Sequence, residues 1–327
     1  MTLSMPNFAL ARPHDIESAL ATRCRESSSL FLAGGTDLLV NLRLGLEQPE
    51  LLVDLSAIRE LRGLSATATG VHIGSCTSLA TLAETPTICD HYRALAEAAS
   101  GVASPITRSL ATVGGNLCLQ TRCVYYNQSE WWRRSNNYCL KRKGRTCHVA
   151  PQGQHCHAAY SGDLAPALMV LDAEVEIASR NTQRRRIKLV DLYREDGRAH
   201  LTLNVDQIIV SVHLPANPLP STYAKARVRG AIDFPLAGVA VALAGDNDRI
   251  VGLRVAITGT NSRPFLLKGT EALLGHALDT DALPHLDSLV QKQVQPMRTT
   301  TTSAHYRRLA AAALVQRLAS ALAAKSA

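Results

Sequence analysis

Aromatic side chains are scarce in this chain: Phe, Trp and Tyr make up 4% of its 327 residues. No apolar run approaches the roughly 18–20 residues needed to cross a bilayer, so no membrane span is expected. The longest, FPLAGVAVALAG (Phe234 to Gly245), has the length of a buried strand. The opening MTLSMPNFALARPHD has no basic stretch followed by a long apolar one, so no secretory signal is expected. The expected location is the cytoplasm, where a reducing environment disfavours disulfides. Neither a GxGxxG fingerprint nor a P-loop occurs.

The scarce residues are unevenly spent. The stretch CLQTRCVYYNQSEWWRRSNNYCLKRKGRTCHVAPQGQHCHAAY (Cys118 to Tyr160) holds five of the eight cysteines and both tryptophans. Most of the +8 formal charge also lies there: Arg122, Arg133, Arg134, Lys141, Arg142, Lys143 and Arg145 stand against one acid, Glu130. Such an excess admits nucleic acid, an acidic substrate or an acidic protein partner. A second basic run, Arg184 to Arg186, reads as a solvated turn.

The rest of the chain alternates strand and helix patterns. A helix is predicted from RPHDIESALA, with Pro13 near its first turn. Leu30 to Ala33 reads as a buried strand and Gly34-Gly35 as a tight turn. Thr36 and Asp37 open a helix that Gly45 stops, Asp37 being suited to receive the orphan amides. Strands follow in ELLVDLSAI and GVHIGSCTSL, and helical spacing runs from Ala80 to about Ser100. ASPITRSLATVGGNL is expected to be extended up to a second glycine pair, Gly114-Gly115. Further on come a helix at Asp163 to Met169, strands at Glu174 to Ala178 and in DQIIVSVHLP, a Pro-rich linker from Pro215 to Ser221, a strand in IVGLRVAITG and two helical stretches. A terminal helix runs from about Ser303, with Leu309, Ala313, Leu314, Leu318 and Leu322 on its packing face.

Each glycine pair permits positive φ and close approach of a ligand to the backbone. Amides at the head of a helix favour an anion. Two such turns could grip the two phosphates of a dinucleotide; two ordinary tight turns would look the same.

The stretch after Gly115 has no sustained period, and a loop of about forty residues inside a compact domain must be functional, disordered or stapled. Beyond Cys118 its cysteines are spaced Cys123-x15-Cys139-x7-Cys147-x8-Cys156. Four thiolates suit zinc or an iron–sulfur cluster. No CxxC pair is present, and His148, His155 and His157 add imidazoles that also suit zinc. From spacing alone the metal stays open. Trp131, Trp132, Tyr125 and Tyr126 are expected to form a small core for the loop, while Cys24, Cys76 and Cys89 are scattered thiols.

In order along the chain, FLAGGTDLL, HIGSCTSLATL, SPITRSLATVGGNL, SGDLAPALMVLDAEVEI, YAKARVRGAIDFPLAGVAVAL and YRRLAAAALVQRLASAL together resemble the FAD-binding medium subunits of the xanthine oxidase family of molybdenum hydroxylases. The resemblance implies an α+β chain. A two-lobed FAD-binding fold of the vanillyl-alcohol-oxidase/PCMH type would cover 1–216 (lobes of about 1–55 and 56–216, with an insertion at about 119–160). A C-terminal α+β domain of the CO dehydrogenase flavoprotein type would cover 217–327. It implies that Leu32, Ala33, Gly34, Gly35, Thr36 and Asp37, with Thr112, Gly114, Gly115, Asn116 and Leu117, line FAD. Asp163 is implied to contact its ribityl or adenosine end, and Lys225 and Val102 to lie near the flavin.

Within the family the sequence closely resembles the flavin subunits of 4-hydroxybenzoyl-CoA reductases, which carry an extra [4Fe–4S] cluster in such an insertion. That likeness implies Cys123, Cys139, Cys147 and Cys156 as ligands and leaves out Cys118, which belongs to the GGNLC turn. It implies an electron route from reduced ferredoxin, through [4Fe–4S] and FAD, to [2Fe–2S] in a small subunit and molybdenum in a large one. There the phenolic hydroxyl would be removed reductively, and the assembly would be a dimer of three-subunit units. No residue of this chain is expected to act on substrate, and the basic loop would face ferredoxin. Two alternatives stand beside it: a flavin subunit of an oxidative CO- or purine-type hydroxylase with a zinc-stapled loop, and a nucleic-acid-binding module with the same staple. The second leaves the glycine turns unexplained.

Overall fold

A computed structural model describes residues 5–180, 184–247, 249–279 and 281–326. Three sheets organise it. The first is small and parallel, with order β1-β3-β2: β1 is Ala9–Ala11, β2 is Ser29–Leu32 and β3 is Leu51–Asp54. The second has five antiparallel strands in the order β4-β5-β8-β6-β7, formed by Leu64–Thr67, Gly70–Gly74, Glu174–Ser179 (β6), Arg185–Lys188 (β7) and Gln207–Pro215 (β8). The third runs β12-β11-β10-β9, from Ser221–Ala226 (β9), Ala237–Asp246 (β10), Arg249–Thr258 (β11) and Phe265–Leu266 (β12).

Helices cover these sheets, and local chemistry sets where they begin. Helix α1 (Ile16–Arg25) starts at Asp15, whose carboxylate accepts from Ser18 N at 2.7 Å, with Glu17 in the first turn and Arg23 and Arg25 in the last. Helix α2 (Leu38–Arg43) follows the first glycine pair and ends before Gly45, whose φ is +64°. The helical stretch after Ser78 is three helices: α3 (Leu79–Glu84), α4 (Pro86–His91) and α5 (Arg93–Ser100). Pro86 opens α4 because a proline lacks the amide a helix interior needs.

The segment ASPITRSLATVGGNL is not extended. It forms α6 (Pro105–Leu110) and α7 (Val113–Leu117). Ser104 caps α6 through Thr107 N with Pro105 as its first residue, and Thr112 caps α7 through Gly115 N. Cap chemistry outweighed the β-branched composition. Two short helices remain before the C-terminal pair: α8 (Glu130–Ser135) in the cysteine loop and α9 (Leu164–Val170), buried along its whole length. The Arg184 to Arg186 run is not simply a turn, because Arg185 and Arg186 open edge strand β7.

Helices α10 (Ala282–Gln293) and α11 (Ala304–Ser326) pack on the third sheet, burying Leu286 and Val290 against Val239, Val241 and Val255. Helix α11 packs through Ala311, Ala312, Leu314, Val315, Leu318, Ala319 and Leu322. Leu309 and Ala313 face outward, so the expected stripe was placed partly on the wrong side. Arg307, fully buried, ties α11 to the carbonyls of Leu236, Gly259 and Met297. The largest core joins α3, α5, α7 and α9 to strands of the second and third sheets, so the two halves share one hydrophobic interior. Among the described residues no helix is long and apolar enough to cross a membrane.

Candidate functional site

A cavity of about 600 Å³ lies where the first glycine turn, α6, α7 and the 229–234 loop meet. That volume is in the range of cofactor sites. Its lining includes Ala33, Gly34, Gly35, Thr36, Asp37, Val102, Thr112, Gly115, Asn116 and Asp163. The sequence motifs, some 130 residues apart at their extremes, thus converge on one hollow. Leu32, Gly114, Leu117 and Lys225 are not in its wall. Leu117 is buried in the core, and Leu32 packs near Gly35.

The two glycine turns differ. At the first, Gly35 has φ of +72°, and a Cβ on Gly34 would sit 1.8 Å from the carbonyl oxygen of Leu110. Only glycine lets β2 and its turn approach α6 so closely. The amides of Gly34, Gly35, Thr36 and Asp37 donate no hydrogen bond to the described residues, which leaves a run of N–H groups of the kind that cradles anions. At the second turn Gly114 N donates to Ser75 O (2.7 Å), Gly115 N to Thr112 Oγ1 (3.1 Å) and Asn116 N to Thr112 O (2.9 Å). These amides are spent, so the expectation of two equivalent amide-lined turns is corrected. The second supplies close packing, not donors.

Asp37 does not cap α2 as expected; no side-chain cap bond forms. Its carboxylate pairs with Arg122 at 2.8 Å and accepts from Asn41 Nδ2 at 3.0 Å. Asp163 is buried at the head of α9 and accepts from Tyr223 Oη (2.7 Å) and Lys225 Nζ (2.8 Å). Burial pushes its carboxyl above the ordinary range, and the Lys225 ammonium pulls the other way. Lys225 is itself buried and meets the cavity wall through Asp163 and through the carbonyl of Asp233, to which its Nζ donates at 3.1 Å. Sequence reasoning missed Phe31, Asn41, Thr107, Leu119, Gln120 and the 229–234 loop in the wall. Phe31, Thr107 and 229–234 lie within the quoted motifs without being singled out, and no motif contains Asn41, Leu119 or Gln120.

The cysteine loop is ordered by side-chain staples. Cys123, Cys139, Cys147 and Cys156 are all buried and line one small cavity with Tyr125, Tyr126, Lys141 and His148. All eight cysteines are unpaired. Burial pushes the Cys123 and Cys156 thiols up to about 11. Among the described residues, the one group of three or more His, Cys, Asp or Glu donors lying within 4.8 Å of one another is elsewhere, at His72, Glu176 and His213. No three of the four sulfurs are therefore that close. Tyr126 is buried, and Tyr125 and Trp132 pack at 6.1 Å, but Trp131 is 75% exposed and does not belong to the expected aromatic core.

Four of the seven cations turn inward. Arg133, 1% exposed, donates to the carbonyls of Tyr126 and Gln128 and pairs with Glu130 at 2.8 Å. Arg142 donates to the carbonyls of Gly45 and Leu46, and Arg122 holds Asp37. Lys141 Nζ lies 5.2 Å above the Tyr126 ring and donates to Gln120 Oε1 (3.1 Å), Thr121 Oγ1 and Gly197 O (2.7 Å). All three acceptors are neutral, and burial draws this amine down to about 8. The Nε–H groups of Arg122, Arg133 and Arg142 are buried without a partner. Only Arg134, Lys143 and Arg145 are left exposed, so the solvent-facing basic patch is smaller than composition suggested.

Comparison with known proteins identifies the family. Residues 6–217 match the family profile "FAD binding domain in molybdopterin dehydrogenase", and 221–322 match "CO dehydrogenase flavoprotein C-terminal domain". The FAD-binding subunit of an aldehyde oxidoreductase from Escherichia coli is 32% identical over 83% of this chain and 86% of its own. The carbon monoxide dehydrogenase medium chain of Hydrogenophaga pseudoflava is 25% identical over 95% of this chain and 96% of its own. A solved carbon monoxide dehydrogenase from the same organism superposes with a TM-score of 0.80 at 22% identity, covering 99% of this chain and 100% of that one. The expected mixed fold, an FAD-binding domain followed by a CO dehydrogenase flavoprotein C-terminal domain, is therefore the one found. The chain belongs to the FAD-binding medium subunits of the molybdenum hydroxylase family and is an oxidoreductase subunit.

Proposed function

We propose that this chain is the electron-relay subunit of an enzyme of the 4-hydroxybenzoyl-CoA reductase type. FAD occupies the large cavity, and Cys123, Cys139, Cys147 and Cys156 hold a [4Fe–4S] cluster. Its partners are a large molybdenum subunit, where the phenolic hydroxyl is removed, and a small [2Fe–2S] subunit, in a dimer of three-subunit units with reduced ferredoxin as donor. Once bound, FAD exchanges electrons singly or in pairs and the cluster one at a time.

What this chain's residues do follows from their chemistry. The open amides of Gly34 to Asp37 receive the diphosphate, while Thr112, Gly115 and Asn116 press against it. Asp163, held by Tyr223 and Lys225, accepts from cofactor hydroxyls. The carrying observation is Lys141. A buried ammonium with only neutral hydrogen-bond acceptors is costly unless an anion lies beside it; Glu47 acts on it but accepts from Tyr126, not from the ammonium. Four metal-bound thiolates in the cavity that Lys141 lines would supply that charge. Lys141 also bonds Gln120, a cavity residue, so one hydrogen bond separates the two sites.

Four buried thiols on one small cavity suit either a cluster or zinc, and iron, acid-labile sulfide and zinc analysis separates the two. A second reading, an oxidative hydroxylase subunit, is favoured by the aldehyde oxidoreductase and carbon monoxide dehydrogenase relatives. Assay of the assembled complex separates the two. Benzoyl-CoA formed from 4-hydroxybenzoyl-CoA with a low-potential donor supports the reductive reading. Turnover only of an aldehyde, purine or CO with an oxidant refutes it.

A further inference from the structure

A second group of metal-binding side chains lies on the five-stranded sheet, and none of its residues lines the flavin cavity or the cysteine cavity. Strand register builds it. His72 on β5 stands directly opposite His213 on β8. Glu176 on β6 pairs with Ser211, two residues before His213. Side chains alternate across a sheet, and Val71, Ile73, Val175, Ile177, Val212 and Leu214 take the buried face. His72, Glu176 and His213 therefore share the other face, on three adjacent strands. Directly opposed and diagonal residues of a sheet are within reach of long side chains.

The side chains do meet. The two imidazole rings are 4.6 Å apart, and His213 Nε2 is 3.2 Å from Glu176 Oε2. One donor atom from each of the three residues lies within 4.8 Å of the others. We propose that His72, Glu176 and His213 bind a divalent transition-metal ion of the zinc class, with solvent completing the coordination.

Two imidazoles and a carboxylate select zinc, copper or nickel over magnesium or calcium, which prefer all-oxygen shells. Zn–N and Zn–O bonds of about 2.0–2.2 Å place tetrahedral donors about 3.4 Å apart. Contracting from the observed spacing needs side-chain rotation and no movement of the strands. The Ser211 hydroxyl lies 2.9 Å from His213 Nε2 and 3.1 Å from Glu176 Oε2, so an ion bound by these atoms takes the place of the hydroxyl's contacts. Arg184 contacts the other carboxylate oxygen, Glu176 Oε1, at 3.5 Å and also pairs with Glu60, which offsets its charge. Arg186, opposite Glu176 across the β6–β7 pair, opposes the ion and limits its affinity.

Cobalt(II) is the probe, because its spectrum reports its ligands. Added to the full chain with the cysteine site already loaded, one equivalent should give tetrahedral d–d absorption without sulfur-to-metal charge transfer. Zinc should displace it. His213→Ala and His72→Ala should each weaken binding at least tenfold while flavin content stays unchanged. If His213→Ala does not fold, Glu176→Gln, which keeps the side chain's shape, carries the same expectation. Cobalt binding with a thiolate charge-transfer band, or an affinity that these variants leave unchanged, overturns the site.

Discussion

The flavin cavity and the cysteine loop are neighbours built by opposite means. The cavity is assembled at the ends of regular elements: β2 runs into a turn, α6 and α7 into their caps, and α9 from Asp163. Its polar groups are the backbone amides of the first glycine turn, the buried Asp163 carboxylate and short side chains such as Asp37, Asn41, Thr112 and Asn116. The loop has a single short helix, and its shape is set by long cations reaching carbonyls: Arg133 to Tyr126 and Gln128, Arg142 to Gly45 and Leu46, Lys141 to Gly197. The first design fixes a site before a ligand arrives. The second gathers positive charge and four thiols that need an anionic, metal-containing occupant to balance them.

If the two sites are distinct, their losses must be separable. The largest effect is expected from Cys147→Ser, which should abolish iron incorporation while leaving flavin bound; colorimetric iron and flavin absorbance read both. Gly34→Ala should do the reverse. Its Cβ would meet Leu110 O at 1.8 Å, forcing the turn and α6 apart. Flavin should fall to a small fraction of the wild-type content, with stability lowered by roughly 1–3 kcal/mol and iron retained. Gly114→Ala, facing Ser75 Cβ at 2.9 Å, should be milder because its turn offers no free donors.

A further test concerns His200, buried beside the loop with Nε2 unpartnered. Burial, then the Lys141 charge, pushes its pKa down to about 3. The unfolded chain takes up that proton near the ordinary value of about 6.5 and the folded chain does not. Stability present above that pH is therefore lost as pH falls toward 3, by about 2 kcal/mol at pH 5. Urea unfolding at pH 7.5 and pH 5 should show this loss, and His200→Phe should remove it. The smallest effect joins the two regions. Lys141→Met should leave both cofactors bound but lower the cluster's reduction potential by roughly 60 mV, the one-electron equivalent of about 1.4 kcal/mol. An unchanged potential would mean that the ammonium serves the loop's architecture alone.

The legibility of the sequence followed the same divide. The strand–turn–helix at Leu30 to Gly45, the α9 start at Asp163 and the long strands of the third sheet were readable, because periodicity and glycine placement act locally. The α6–α7 segment was not. Its Ser104 and Thr112 caps are single residues inside a β-branched stretch. The closed state of the second glycine turn was also hidden, since Ser75, which takes Gly114's amide, lies on a distant strand end. The convergence of four cysteines agreed with their grouping in sequence. The inward course of Arg122, Arg133, Lys141 and Arg142 did not follow from it, because composition counts charge and says nothing of direction.

Metal and flavin analysis of anaerobically purified full-length chain, with an EPR spectrum after reduction, tests the central claim most directly. The account predicts one flavin with about four iron and four acid-labile sulfides per chain, and Cys123, Cys139, Cys147 and Cys156 resistant to alkylation. A yellow, iron-free protein whose four thiols all react freely would contradict it.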